Sequence, residues 1–512
     1  MRLSKLLLDA GLQLPHHTDP EIRKVRIDSR KVDKGDLFLA LIGVHDDGSK
    51  YIGEAIERGA VAVLSEGQSH PALEGTIEPG PGAEIIPCPG LRAKVGELFN
   101  IRNGRPSDQM ISVGVTGTNG KSTITKLASS MLRAAGRKVV SLGTIDYEIE
   151  GVSLSSDLTT PGPDEFFGML RQGADQDCTG LVMEVSSHAL SQDRIRGVTF
   201  SRAIFTNLTR DHMDYHADFE EYYKAKRRLM KEYLRTDGIV ILNADSEYGI
   251  RMGRELTCQR LTFSRGEVKA DVMLFDSRLT LSGSDFAVAY RGDTYRFNSR
   301  LIGTINLENL LAVVTLGFSL DLPAAVIAQG IADVTVKGRN QVFELPNGAY
   351  AIVDYAHTPD ALERVLDSLK PMTPGKLVCV FGCGGDRDRT KRPIMGEIAV
   401  ASADALFLTS DNPRNEDPQA IMTEILAGMG NSSRVKAIVD RHDAIVAALN
   451  TLTSGDCLLI AGKGHEDYQI VGRTKKHFSD QEEILTWASK LSKATGFPVT
   501  SGDSLNGSMD GN

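Results

Sequence analysis

The apolar residues of this chain fall into short, β-branched runs, each closed by a polar or glycine-rich turn and followed by a stretch of helical spacing. The alternation is clearest from residue 111 onward. "ISVGVT" (111–116), "RKVVSLGTI" (137–145), "TGLVMEVSS" (179–187) and "FSRAIFTNL" (200–208) read as strands with helices between them. Such alternation predicts a mostly parallel sheet covered by helices on both faces. A long helix within "GDTYRFNSRLIGTINLENLLAVVTLGFSL" (292–320) closes that region. Beyond "VTVKGRNQVF" (334–343), four more runs end in polar or glycine turns: "YAIVDYA", "KLVCVFG", "DALFLTS" and "DCLLIAGKG". They predict a second doubly wound, Rossmann-like α/β domain.

Ahead of residue 111 the pattern is that of a smaller α/β unit. "VRIDSRKVDKGDLFLALIG" alternates strand-like and turn-like pieces, and "YIGEAIERGAVAVLS" reads as helix, glycine stop and strand. "EGTIEPGPGAEIIPCPG" is read as an irregular excursion and "IRNGRPSDQM" as a linker. The expected division is 1–106, 107–336 with a central P-loop-type sheet, 337–497, and a disordered tail over 498–512. A length of 512 residues agrees with three domains at the usual ~150 residues each.

Composition narrows the class. Hydrophobic residues make up 41% and charged residues 24%, as in ordinary globular proteins. A net charge of −9 argues against a general nucleic-acid binder. No apolar run approaches the ~20 residues of a membrane span, and the apolar stretch of "MRLSKLLLDAGLQ" is too short for a signal peptide. The six cysteines show no framework; Cys379 and Cys383 read as buried thiols of a reducing cytoplasm rather than zinc ligands or a disulfide.

The chemistry starts at "GTNGKST". A strand feeding a glycine turn and then a helix aims backbone N–H groups at an anion. Gly117, Thr118, Asn119 and Gly120 form the turn, Lys121 reaches outer phosphates, and Ser122 offers a hydroxyl to Mg²⁺, with Thr123 following. Val115 stands where the longer Walker form has glycine, so only the shorter Gly-x-x-Gly-Lys-Ser form is intact. The motif indicates a nucleoside triphosphate without naming a reaction.

With "GTNGKST" stand "EVSSHALSQDRI", "TNLTRDHMDYH", "GRNQVF", "VDYAHTPDAL", "GGDRDRTKRP", "DNPR" and "GKGHEDYQ", in that order. Together these strings resemble the Mur ligase family over about 25–472, and "DNPR" resembles its diaminopimelate-adding branch. The resemblance implies cytoplasmic, ATP-dependent amide-bond formation through an acyl phosphate, in peptidoglycan precursor synthesis. It implies UDP-N-acetylmuramoyl-L-alanyl-D-glutamate, ATP and meso-2,6-diaminopimelate as substrates, a monomer, and neither nucleic acid nor membrane as partner.

The resemblance also assigns roles. Glu184 and His212, with Ser122, are implied as Mg²⁺ ligands; standing alone, His212 reads as a hydrogen-bonded turn histidine. Lys226 lies in "DFEEYYKAKRRLMKEYL", a predicted helix capped by Asp218, where Tyr222 shares its face. A bare ammonium there would repel Mg²⁺, and the family's solution is a CO₂-derived carbamate on this lysine. Asn309 is implied beside adenine, Arg339 at the γ-phosphate, and Asp354 and His357 near the ribose. Ile27, Ser29, His45 and Asp46 match the uridine-side turns. Thr159, Thr160, Ser186, Gln192 and Arg194 match the sugar–peptide segment. Arg387, Asp411, Asn412, Pro413, Arg414, Gly462 and Glu466 match the site of the incoming amino acid, whose extra carboxylate calls for guanidinium forks. Three alternatives stay open at this point: the same reaction with L-lysine, another ligase of the superfamily such as a folylpolyglutamate synthase, and a P-loop nucleotide switch without ligase chemistry.

Overall fold

The computed structural model describes residues 1–13, 16–42, 47–67, 83–154, 158–213, 215–266, 268–495 and 500–501. The chain forms three main sheets. The first is parallel, in the order β1 (Val25–Arg26), β2 (Leu37–Ala40), β3 (Ala62–Ser65), β4 (Glu84–Pro87). The last of these corrects the reading of 74–90 as irregular throughout: "EIIP" pairs along "AVLS", and Pro87 is tolerated at a strand end on an edge.

The second sheet has eleven strands. They are β5 (Ile111–Thr116), β6 (Val139–Leu142), β7 (Tyr147–Ile149), β8 (Val152–Leu154), β9 (Gly180–Glu184), β10 (Phe200–Phe205), β11 (Leu234–Asn243), β12 (Gln259–Ser264), β13 (Val272–Thr280), β14 (Gly283–Tyr290) and β15 (Asp293–Ser299). Their order is β15-β14-β13-β12-β11-β10-β5-β9-β6-β7-β8. The block from β13 to β6 is parallel; β7 and β8 at one edge and β14 and β15 at the other run antiparallel. The helix Lys121–Ala134 and the almost wholly buried helix Gly303–Ser319 cover one face.

On the other face one buried cluster joins the N-terminal unit to the central sheet, taking in Leu3, Leu98, Phe99, Phe167, Met183 and Phe205. Arg26 fastens the same junction, its Nη1 donating to both oxygens of Asp164 at 3.1 and 2.8 Å.

The third sheet comprises β16 (Gln341–Glu344), β17 (Tyr350–Asp354), β18 (Leu377–Phe381), β19 (Ala405–Leu408), β20 (Val435–Ala437), β21 (Cys457–Ala461) and β24 (Thr500–Ser501), in the order β20-β19-β18-β21-β17-β16-β24. All its strands run the same way except β16, which pairs antiparallel with both β17 and β24. The pairing of Thr500–Ser501 with Phe343 and Glu344 corrects the expectation that the tail is unstructured from 498 on; residues 502–512 lie outside the described residues. A separate hairpin, β22 (Tyr468–Val471) with β23 (Thr474–His477), completes the strands. Among the described residues no helix is long and apolar enough to cross a membrane, and all six cysteines are free.

The register places the chemistry. Val115 pairs with Glu184, and Thr116 with Phe205, so the carboxyl ends of β9, β5 and β10 lie side by side. In an open parallel sheet that is where a ligand crevice forms.

Candidate active site

A cavity of about 460 Å³ opens at these strand ends. Its floor is the phosphate loop. Gly117 and Gly120 both take positive φ, +147° and +89°. A Cβ on Gly117 would stand 1.8 Å from Thr206 Oγ1, and one on Gly120 2.4 Å from Asn309 Oδ1. Only glycine passes here. Asn207 braces the loop: its carbonyl oxygen accepts from Thr118 N at 3.0 Å and its Oδ1 from Asn119 N at 2.9 Å. Ser122 and Thr123 lie buried in the first turn of the following helix. Gly120→Ala is expected to cost about 1–2 kcal/mol of stability for the left-handed backbone and to weaken nucleotide binding by displacing Asn309. Denaturant midpoints and nucleotide titration measure the two effects separately.

Two lysines converge on one oxygen. Lys121 Nζ donates to the carbonyls of Gly117 and Thr118 at 3.0 and 2.7 Å. Lys226 Nζ, fully buried, donates to the same Gly117 carbonyl at 2.7 Å. Burial holds both below the ordinary lysine range, Lys226 well below it, with the Lys121 charge adding to the effect on Lys226. The Lys226 ammonium stands 4.5 Å over the Tyr222 ring, as the spacing on the helix Phe219–Glu232 predicts.

Glu184 ends β9 with both oxygens engaged by Thr144: Oε1 accepts from Thr144 N at 2.8 Å and Oε2 from its hydroxyl at 3.1 Å. His212, at φ +56°, packs edge-on against His188, ring centres 4.9 Å apart. Burial lowers its imidazole to about 4 despite neighbouring Asp211, so the ring is neutral at pH 7. Among the described residues no three His, Cys, Asp or Glu side chains form a ready-made cation cage. A hard cation here would need the mixed set of Ser122, Glu184, His212 and a modified Lys226. The neutral imidazole and the locked carboxylate fit that demand.

Another part of the lining is formed by Asn309, Arg339, Asp354 and His357. The Arg339 guanidinium stacks 4.3 Å over Tyr355. Asn309 Nδ2 donates to Asn306 Oδ1 at 3.2 Å. Asp354 takes the turn role: its oxygens accept from Asn340 N at 2.7 Å and Ala356 N at 2.8 Å, and burial raises its pKa. His357 Nδ1 lies 2.8 Å from the Tyr355 carbonyl. Thr358 caps the helix Pro359–Leu369 as the Thr-Pro pair predicts. Asn119 Nδ2 reaches Asp360 at 3.3 Å, tying the phosphate loop to this part of the lining.

Thr159, Ser186 and Arg194 line the cavity's mouth. Arg194 is aimed by Gln192 Oε1 at 2.9 Å and the Thr160 carbonyl at 3.1 Å; Thr160 itself is buried, donating to the Glu184 carbonyl. Ile27 and Ser29 do not reach this cavity: Ile27 is exposed on the first unit and Ser29 donates to Glu54 at 2.7 Å. His45 and Asp46 lie outside the described residues.

The remaining predicted residues form a second cluster, at the ends of β18, β19 and β21. Arg414 Nη1 donates to the Gly385 carbonyl at 2.7 Å, which holds its guanidinium beside Gly384 and the exposed Arg387. Asp411 Oδ2 lies against Gly462, Pro413 is buried over Gly385, and Asn412 Nδ2 donates to Glu466 at 2.8 Å. The cluster connects to the cavity through His465, whose ring is 5.2 Å from Tyr355.

Comparison with known proteins agrees with this layout. The description "Mur ligase family, catalytic domain" matches residues 21–98, "Mur ligase middle domain" 115–317, and "Mur ligase, glutamate ligase domain" 338–464. UDP-N-acetylmuramoyl-L-alanyl-D-glutamate–2,6-diaminopimelate ligase of Synechococcus elongatus is 41% identical over 94% of this chain and 98% of its own. The chain belongs to the Mur ligase family. A solved structure of a ligase of the same name superposes with a TM-score of 0.68 at 32% identity, covering 92% of this chain and 95% of the other. The MurF ligase of Thermotoga maritima, solved with ADP, shares the fold at a TM-score of 0.62 and 18% identity, over 94% of this chain and 100% of its own.

Several residues that shape this Mur ligase's cavity were not singled out from the sequence. Thr144 follows β6 with no motif around it. Asn207 and Asp211 stood inside "TNLTRDHMDYH" without an assigned role, although an Asp beside a candidate ligand His is a signal for its orientation.

Proposed function

We propose that the chain joins meso-2,6-diaminopimelate to UDP-N-acetylmuramoyl-L-alanyl-D-glutamate at the expense of ATP, in a reducing cytoplasm. The observation that carries this reading is the near-full-length identity to ligases of that name, together with an Arg414 guanidinium anchored by backbone at the third sheet's crevice.

The reaction must bring a triphosphate, a substrate carboxylate and a second carboxylate together, so its main obstacle is repulsion. The substrate carboxylate attacks the γ-phosphoryl group and ADP departs; the amine then attacks the acyl phosphate and phosphate leaves. Lys121 and Arg339 supply positive charge around the transferring group, and the loop N–H groups orient the inner phosphates. Arg194 holds the anionic peptide end. Mg²⁺, where bound, would lie among Ser122, Glu184, His212 and a Lys226 carbamate and would offset charge on the phosphates. Asn309, packed against Gly120, is read as the adenine-side residue. Arg387 and Arg414 grip carboxylate, while Asp411 and Glu466 receive ammonium and Asn412 orients Glu466.

The test offers diaminopimelate and L-lysine separately with the muramyl dipeptide, ATP, Mg²⁺ and bicarbonate. Phosphate release is expected with diaminopimelate and to be near background with lysine; the reverse preference sinks this reading. Arg414→Ala is expected to raise the KM for diaminopimelate by about 10- to 100-fold, the worth of a charge-assisted contact of about 1.5–3 kcal/mol, with the KM for ATP unchanged.

A further inference from the structure

The corner of the third sheet assigned to the incoming ammonium already contains one. Lys463 is completely buried, and its Nζ lies 3.3 Å from both Asn412 Oδ1 and Glu466 Oε2. A second contact tells the oxygen of the Asn412 amide from its nitrogen. Its oxygen also accepts from Ile470 N at 2.9 Å, and a backbone N–H can only donate. The amide nitrogen therefore faces Glu466, to which it donates at 2.8 Å. The hairpin β22–β23 closes this arrangement: Gln469 Nε2 donates to the Asp411 carbonyl at 2.7 Å, and Arg414 N to the Ile470 carbonyl at 3.0 Å.

We propose that Lys463 is a positioning residue for amino-acid selection: its ammonium locks the Asn412 amide and the Glu466 carboxylate in place and keeps that carboxylate ionised to receive the substrate's ammonium. The inference rests on the proposed ligase reading and deepens it. Charge bookkeeping at the corner makes the consequence specific. Burial pushes Glu466 up, Asp411 adds to that, and Lys463 with the Asn412 hydrogen bond opposes it. The other groups facing Glu466 are Tyr355, Tyr468 and the Arg441 guanidinium, itself paired with Asp480. Removing Lys463 takes away the closest positive charge, so Glu466 becomes protonated at a higher pH than before. A protonated Glu466 holds an ammonium poorly. The binding defect must therefore be worst at low pH and fade as pH rises.

The experiment compares the whole enzyme with Lys463→Met and Lys463→Arg, measuring KM for diaminopimelate, ATP and the muramyl dipeptide between about pH 6.5 and 9. For Lys463→Met the ratio of its diaminopimelate KM to that of the unmodified enzyme is expected to be about tenfold or more near pH 7, one charge-assisted hydrogen bond's worth. That ratio should shrink toward pH 9, with the other two KM values unchanged. Lys463→Arg is expected to follow the pH profile of the unmodified enzyme. A ratio independent of pH, a uniform rise in all three KM values, or a pH-dependent defect in Lys463→Arg equal to that of Lys463→Met overturns the proposal. Should Lys463→Met fail to fold, judged by loss of nucleotide binding, Lys463→Gln carries the same prediction. Failure of the underlying reading shows separately, as an unmodified enzyme that does not couple diaminopimelate at all.

Discussion

Replacing Lys121 by methionine is expected to cut ATP-dependent phosphate release by about 10²–10³-fold, the loss typical when one preorganised donor to developing charge is removed. Methionine keeps the length and the apolar stem, so the loop should stay folded. The ammonium is held against the Gly117 and Thr118 carbonyls, the loop's own oxygens, and in the proposed reading it turns to a phosphate oxygen seated in that loop. A second signature separates this loss from a packing effect. In the free protein burial lowers the Lys121 pKa; a polyphosphate placed against it raises that pKa again. Nucleotide binding therefore takes up protons, and affinity must fall as pH rises through the interval between the two pKa values. Titrating nucleotide into both proteins between about pH 6.5 and 9 should give this slope for the unmodified protein and a nearly flat line for Lys121→Met. A variant within a few fold of full activity, or one with the same slope, contradicts the role.

Much of this site was legible because its residues sit where chain pattern and chemistry coincide. A glycine turn between an apolar run and a helix announces an anion site. An Asp three residues before Glu221 announces the cap of the helix that carries Lys226. What stayed hidden lacks either mark. β13–β15 form a half-buried meander whose exposed faces carry charge and even Phe275. Its alternation is diluted by polar residues on the buried side, so "GDTYRFNS" merged with the helix after it. The hairpin β22–β23 is half-buried on Tyr468–Ile470 and exposed along β23; its short apolar run has no partner in the sequence pattern, and it is held by backbone bonds to Arg414 that no composition reveals. Asp354 shows the opposite limit. An acidic strand end suits a ribose hydroxyl, but the carboxylate is spent on two backbone amides, and only coordinates distinguish the two uses.

The same loop sets the largest expected effect of all. Lys121 and Lys226 both donate to the Gly117 oxygen, so their ammonium groups are no more than about 6 Å apart, close enough for one charge to suppress the other. Lys226 is the more deeply buried and is held well below the ordinary lysine range, by burial first and by Lys121 second. The neutral amine is the form that attacks CO₂, and burial favours that form: the N–C bond forms, one proton leaves, and the side chain changes from neutral amine to carbamate anion. A carbamate here would pair attractively with the Lys121 ammonium and would supply oxygen donors suited to a hard cation. Because burial lowers the amine's pKa, carbamate formation extends to lower pH than at an exposed lysine, and acid reverses it. Stripping CO₂ is therefore expected to lower turnover reversibly, and bicarbonate to restore it. Lys226→Met is expected to lose about 10²–10³-fold or more, insensitive to bicarbonate. Lys226→Glu, which puts back a carboxylate without needing CO₂, should recover part of that loss and be equally insensitive. Mass spectrometry of the intact protein under gentle conditions should find one added CO₂ on the unmodified chain and none on either variant. An enzyme at full turnover with a plain amine at this position, in bicarbonate-replete buffer, would leave the two lysines' shared oxygen without a function and require another source for the missing negative charge.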